Sequence, residues 1–194
     1  MSVKQKTFKD KYEKLFKTGV DAYNKEDYET SYCCFSSIAG TNSKFSYDAK
    51  FYLARHYENG LGISKNFSTA FELYLQVSSN ASKYKYNAKS WLALHFDNEN
   101  DHQKAFELYL DIYCDKPYNI RGIESLLVER IKKELGVFKD DKKAFEFYSD
   151  LYTKVPEYKS FARNNLIKCY SLGVGVKKDE EKVYKLEKEA LNYK

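Results

Sequence analysis

Apolar positions along the chain recur at helical spacing and in matched pairs of stretches. Ala49, Leu53, Ala54 and Tyr57 share their spacing with Ala88, Leu92, Ala93 and Phe96, with Ile123, Leu127, Val128 and Ile131, and with Ala162, Leu166, Ile167 and Tyr170. This spacing lays a broad apolar stripe on one face of a helix. Downstream of each set lies a second apolar phrase: NFSTAFELY at 66–74, DHQKAFELY at 101–109, DDKKAFEFY at 140–148, and the divergent DYETSYCCF at 27–35 and DEEKVYKLE at 179–187. The anchors Ser31, Ala70, Ala105, Ala144 and Val183 recur every 35–39 residues, a period that signals stacked helical hairpins. An Asp or Asn opens each phrase, as a helix N-cap does, and the small anchor marks a close helix crossing.

The pattern predicts ten helices, at 8–24, 27–39, 46–59, 67–79, 84–98, 102–115, 118–135, 141–154, 157–172 and 180–192. They pair into five units, approximately 8–43, 44–81, 82–116, 117–155 and 156–192, read as one all-α domain over 8–192. The expected fold is a right-handed α-solenoid. Between helices, Gly60-Leu-Gly-Ile-Ser-Lys-Asn66, Glu134-Leu-Gly-Val-Phe-Lys-Asp140 and Gly173-Val-Gly-Val-Lys-Lys-Asp179 are three copies of one loop. Their glycines are expected to supply the positive φ that ends a helix. The connections at Asn24–Asp27 and Asp97–Asp101 are shorter and lack them.

These features resemble the Sel1-like repeat: a helix, then G-x-G-V-x-K-D, then a helix with Ala-Phe-x-x-Tyr. The short-loop units are similar to tetratricopeptide repeats, the parent superfamily, and Pro117 and Pro156 fall between units as prolines commonly do there. The resemblance covers roughly residues 8–192, with Val183 and Glu187 departing from the anchor phrase. It implies a non-enzymatic scaffold whose first helices line a concave groove that holds a peptide or protein surface. Carried over by alignment, the groove lining includes Phe16, Tyr23, Phe51, Tyr52, Arg55, Trp91, Leu94, Glu129 and Lys168. Trp91, the sole tryptophan, has the make-up of an interface anchor, or else fills the gap between the second and third units. The Lys and Asn arrangement that clamps a C-terminal carboxylate in some tetratricopeptide proteins is not reproduced.

Composition narrows the chemistry. The net charge of +5 comes from 33 basic and 28 acidic residues that alternate in sign, where a nucleic-acid binder would gather its excess on one stripe. No nucleic-acid partner is expected, and a helical-repeat RNA binder is the alternative reading. An enzyme acting on a cell-wall-type ligand is a second alternative; the cysteine-rich relatives with that association carry paired cysteines, and this chain does not. No phosphate-binding Gly loop, His-Glu-x-x-His or serine nucleophile elbow is present, so no catalytic residue and no cofactor is assigned. His56, His95 and Cys169 share one repeat position but have no evident third ligand, so no metal is expected. They are read as polar residues at the edge of the apolar stripe. Cys34 aligns with core leucines, and Cys33 with exposed charged residues. The N-terminus lacks a signal peptide's apolar stretch, and no run approaches a membrane span. A cytosolic protein is expected, or one that leaves by a route needing no cleaved signal.

Overall fold

The structure, a computed structural model, describes residues 3–115, 122–132 and 138–191. Among these every regular element is helical: α1 Val3–Asn24, α2 Tyr28–Ala39, α3 Ser46–Asn59, α4 Phe67–Ser78, α5 Lys85–Asn98, α6 His102–Cys114, α7 Ile123–Lys132, α8 Asp141–Lys154, α9 Lys159–Leu172 and α10 Glu180–Leu191, with a single 3₁₀ turn at Pro156–Tyr158 before α9. Pro117, the ends of the helix expected at 118–135 and the loop copy at 134–137 lie outside the described residues.

Each second helix begins where its capping side chain predicts. Asp27 accepts the N–H of Thr30 (3.2 Å), Asn66 that of Thr69 (3.0 Å) and Asp101 that of Lys104 (3.2 Å). Asp140 accepts from both Lys142 and Lys143, and Asp179 from Lys182 (3.0 Å). These bonds satisfy amides that a helix start leaves without partners, and the carboxylates suit its positive end.

Two connector designs join the helices of a pair. In the long one, Gly60 and Gly173 end α3 and α9 at φ 72° and 78°. Gly60 and Leu61 donate to the His56 carbonyl, and Gly173 and Val174 donate to that of Cys169. The second loop glycine has a different task. A methyl group on Gly62 would meet the Tyr28 backbone at 2.8 Å, and one on Gly175 the Asp141 carbonyl at 2.0 Å. The loop backbone therefore rests directly on the N-terminus of the preceding pair's second helix. The short connectors instead place Glu26 and Asn100 at φ 62° and 63°, and Asp27 and Asp101 donate back to Ala22 and Phe96.

Contacts divide the chain into two compact units, Met1–Ile123 and Glu124–Lys194. In the first, α1 packs on α2, α2 on α3, α3 on α4, α4 on α5 and α5 on α6; in the second, α8 packs on α9 and α9 on α10. The anchors Ser31, Ala70 and Ala105 are fully buried, consistent with their small size at helix crossings. The first core joins Phe16, Phe35, Ile38, Phe51, Tyr52, Tyr74, Val77 and Leu92. Removing one such ring from water contributes about 1.5–3 kcal/mol.

Candidate interaction surface

Counting from each anchor, three positions meet at the junction between one helix pair and the next: the residue three before it and those 21 and 25 after it. In the junction of α2 with α3 these are Tyr28, Tyr52 and His56, and in that of α4 with α5 they are Phe67, Trp91 and His95. All six carry rings. Tyr52 stacks on Phe35, with centroids 4.5 Å apart and planes 9° apart, and its hydroxyl meets that of Tyr84 at 3.0 Å. Trp91 stacks on Tyr74 at 4.2 Å, while Phe67 lies 5.4 Å from Trp91 and 5.2 Å from His95. The Glu58 carboxylate ties this second junction together, accepting Trp91 Nε1–H (2.7 Å) and the Tyr74 hydroxyl (2.6 Å). Burial, and then the bond to Glu58, push the Tyr74 phenol well above its ordinary value, so this group stays a donor.

His56 departs from the expectation of a stripe-edge residue: it is fully buried. Its Nδ1 lies 2.6 Å from the Leu61 carbonyl, which only accepts, so Nδ1 carries the proton. Nε2 is then the acceptor for the Ser31 hydroxyl at 3.0 Å. Desolvation lowers the pKa of this imidazole, in keeping with a neutral ring between Tyr23, Tyr28 and Tyr32. Ser31 stands where Ala70, Ala105 and Ala144 stand in other units, and that substitution was the available signal that the histidine at this position has an internal partner. Cys33 is exposed and Cys34 buried, as the repeat alignment places them. Among the described residues no group of three or more His, Cys, Asp and Glu could hold a metal ion, and no described helix is long and apolar enough to cross a membrane.

The residues expected to line a groove divide by exposure. Phe16, Phe51 and Tyr52 are 6%, 9% and 8% exposed: Phe16 stacks on Phe45 and Phe51 on Tyr84. Tyr23 and Trp91 are half-buried. Arg55 is exposed, with its guanidinium 5.0 Å from the centre of the Tyr23 ring. Leu94 is 56% exposed. In the unit from Glu124 onwards, Glu129 and Lys168 are exposed. Arg55, Leu94, Glu129 and Lys168 hold one register, 24 residues after their anchors, so a single position on successive first helices presents a different chemistry in each repeat.

Paired helices, capped alike, with each short or Gly-x-Gly connector returning to its own helix end, define a protein of the helical-repeat class. A family model for the Sel1 repeat matches residues 48–80, 98–110, 133–149 and 162–185. Four segments of the chain thus match the Sel1 repeat. Among solved structures it is similar to a protective antigen of uropathogenic Escherichia coli with an SLR fold, at 20% identity and a TM-score of 0.44 over 81% of this chain and 32% of that one. It is similar also to a Sel1 repeat protein from Oxalobacter formigenes, at 18% identity and a TM-score of 0.41 over 91% of this chain and 84% of that one. The chain thus spans about a third of the length of the first of these proteins. A search of curated proteins finds no match.

Proposed function

We propose that the chain is a non-enzymatic interaction scaffold that binds a peptide or protein surface on the first-helix face of α1, α3 and α5. The observation that carries this reading is the exposure of Arg55 and Leu94 at one register, beside the half-buried rings of Tyr23 and Trp91. A large apolar side chain and a guanidinium held against aromatic rings form the kind of patch that dominates binding energy at interfaces. Glu129 and Lys168, exposed in the unit from Glu124 onwards, carry the same reading there by themselves, and a cytosolic setting is part of it. Phe16, Phe51 and Tyr52 support the face from beneath, since their rings pack into the core.

The test is an affinity pull-down from host lysate with wild type beside Arg55→Glu/Leu94→Asp, washed at low and high salt. Both side chains are exposed, so the variant should fold and melt as wild type does. A protein retained at high salt by wild type and lost by the variant is the expected result. Recovery of nucleic acid alone, released by salt and indifferent to the substitutions, would replace this reading with an RNA-binding one.

A further inference from the structure

The third describable junction, between α8 and α9, has the same frame as the first. Gly173 ends α9 as Gly60 ends α3, with matching carbonyl bonds, and Gly175 rests on the start of α8 as Gly62 rests on that of α2. The three junction positions differ in kind. Where the earlier junctions carry Tyr28, Tyr52 and His56, or Phe67, Trp91 and His95, this one carries Asp141, Asn165 and Cys169. No ring occupies any of the three, and a cavity of about 360 Å³ opens there, walled by Asp141, Ala144, Tyr148, Asn165, Lys168 and Cys169 among others. An apolar cavity of roughly 150 Å³ is already enough for a benzene ring.

The geometry points to this cavity as a socket for an aromatic side chain supplied by a partner peptide. The α2–α3 and α4–α5 junctions show what these three positions accommodate, namely stacked rings against a tyrosine or phenylalanine four residues after the anchor. Tyr148 holds that position here, 8% exposed, with Phe138 and Phe161 edge-on to its ring and, among the described residues, no ring stacked on it as Tyr52 is on Phe35 and Trp91 on Tyr74. The polar wall refines the choice of ring. Asn165 donates its Nδ2 to the Phe161 carbonyl at 2.9 Å, which fixes the amide with its oxygen as an acceptor, and the Asp141 carboxylate is a second acceptor. A ring carrying a donor, tyrosine or tryptophan, therefore suits the socket better than phenylalanine, as Glu58 suits the indole of Trp91. Lys168, exposed at the rim, is placed to meet a carbonyl or carboxylate of the peptide. The Cys169 thiol is wall and not nucleophile: burial, and then the nearby Asp141, raise its pKa.

The inference rests on the scaffold reading only for the nature of the ligand as a peptide; the socket lies on other residues than Arg55 and Leu94. The test is an NMR titration of the ¹⁵N-labelled full chain with N-acetyl-tryptophan amide, N-acetyl-tyrosine amide and N-acetyl-leucine amide. Saturable shifts at Tyr148, Asn165 and Cys169 are expected for the two aromatic probes, with the leucine probe about tenfold weaker or more, a difference of about 1.4 kcal/mol. Asn165→Trp/Cys169→His, which rebuilds the filling of the α4–α5 junction, should abolish the shifts and raise Tm. Asn165→Tyr alone serves should the double variant not melt cooperatively. The Arg55→Glu/Leu94→Asp variant should bind the probes as wild type does, so loss of its lysate partner and loss of the socket are separate results. No saturable shift with either aromatic probe, an equal response to leucine, or probe binding that survives the filled socket would overturn the inference.

Discussion

The junction of α2 with α3 and that of α8 with α9 share a backbone and differ in what fills it. Both are framed by a left-handed glycine, a second glycine pressed on the neighbouring helix start and an Asp N-cap. The first then closes with Tyr28, Tyr52 and His56 around Phe35, while the second leaves Tyr148 beside Asp141, Asn165 and Cys169 and a cavity. In a repeat protein, then, loop and cap chemistry set how one hairpin meets the next, and a few side chains decide whether the meeting is sealed. The same division places structural cohesion in the early helices and leaves space for a ligand in the late ones.

The largest effect that sharpens this contrast is on packing. Phe35→Ala, at a fully buried ring stacked on Tyr52, should cost about 3–5 kcal/mol in urea denaturation. Tyr148→Ala, at a ring with edge-on neighbours and a cavity beside it, should cost about half as much, since no stacked ring is lost there. Equal losses would break the comparison. Next come the glycines that define the common frame. Gly62→Ala and Gly175→Ala each combine a positive φ with a backbone collision and should each cost about 2–4 kcal/mol. A tolerated alanine at either position would show that the loops do not bear on the helix starts as described.

The pH dependence separates the two junctions further. Because burial lowers the His56 pKa, the unfolded chain takes up that proton first. Its contribution is complete above the unfolded imidazole value of about 6.5 and declines as pH falls through that value towards the lower folded one. Stability measured from pH 7.5 to 5 should fall less steeply in His56→Gln, whereas Cys169, the equivalent residue of the late junction, should add no slope in that window. The smallest effect concerns the short connectors: Glu26 occupies a left-handed conformation at φ 62°, so Glu26→Gly should stabilise by about 0.5–1 kcal/mol, and Asn100→Gly, starting from a residue that tolerates φ 63°, should change little. Thermal melts of the two variants check this.

Helices and their starts were legible in the sequence because caps and periodicity are local. The stretch expected at 46–59 is α3, Ser46–Asn59, and that expected at 141–154 is α8, Asp141–Lys154. The 3₁₀ turn at Pro156–Tyr158 delays α9 by two residues relative to the expected start at 157. The surface was harder to read, because a period identifies a helix face and not how far a long side chain folds back from it. Phe51 and Tyr52 sit on first-helix positions yet turn into the junctions, drawn by Tyr84 and Phe35, and Arg55 on the next turn stays outside. The burial of His56 depends on a hydroxyl 25 residues away at Ser31, a partnership that spacing alone does not reveal. The late cavity was equally hidden, since it comes into view only when Asp141, Asn165 and Cys169 are set beside their counterparts in the earlier units.

Native-state hydrogen exchange of the full chain tests most directly whether ring-filled junctions make the early helices cohere. Amides in the middle of α3 and α4 should share one high protection, exchanging through a single cooperative opening, while those of α9 should exchange faster through a smaller opening of their own. Asn165→Trp/Cys169→His should slow exchange in α9. Protection in α9 equal to or above that of α3 in the wild-type chain, or exchange in α9 indifferent to the added rings, would contradict the account.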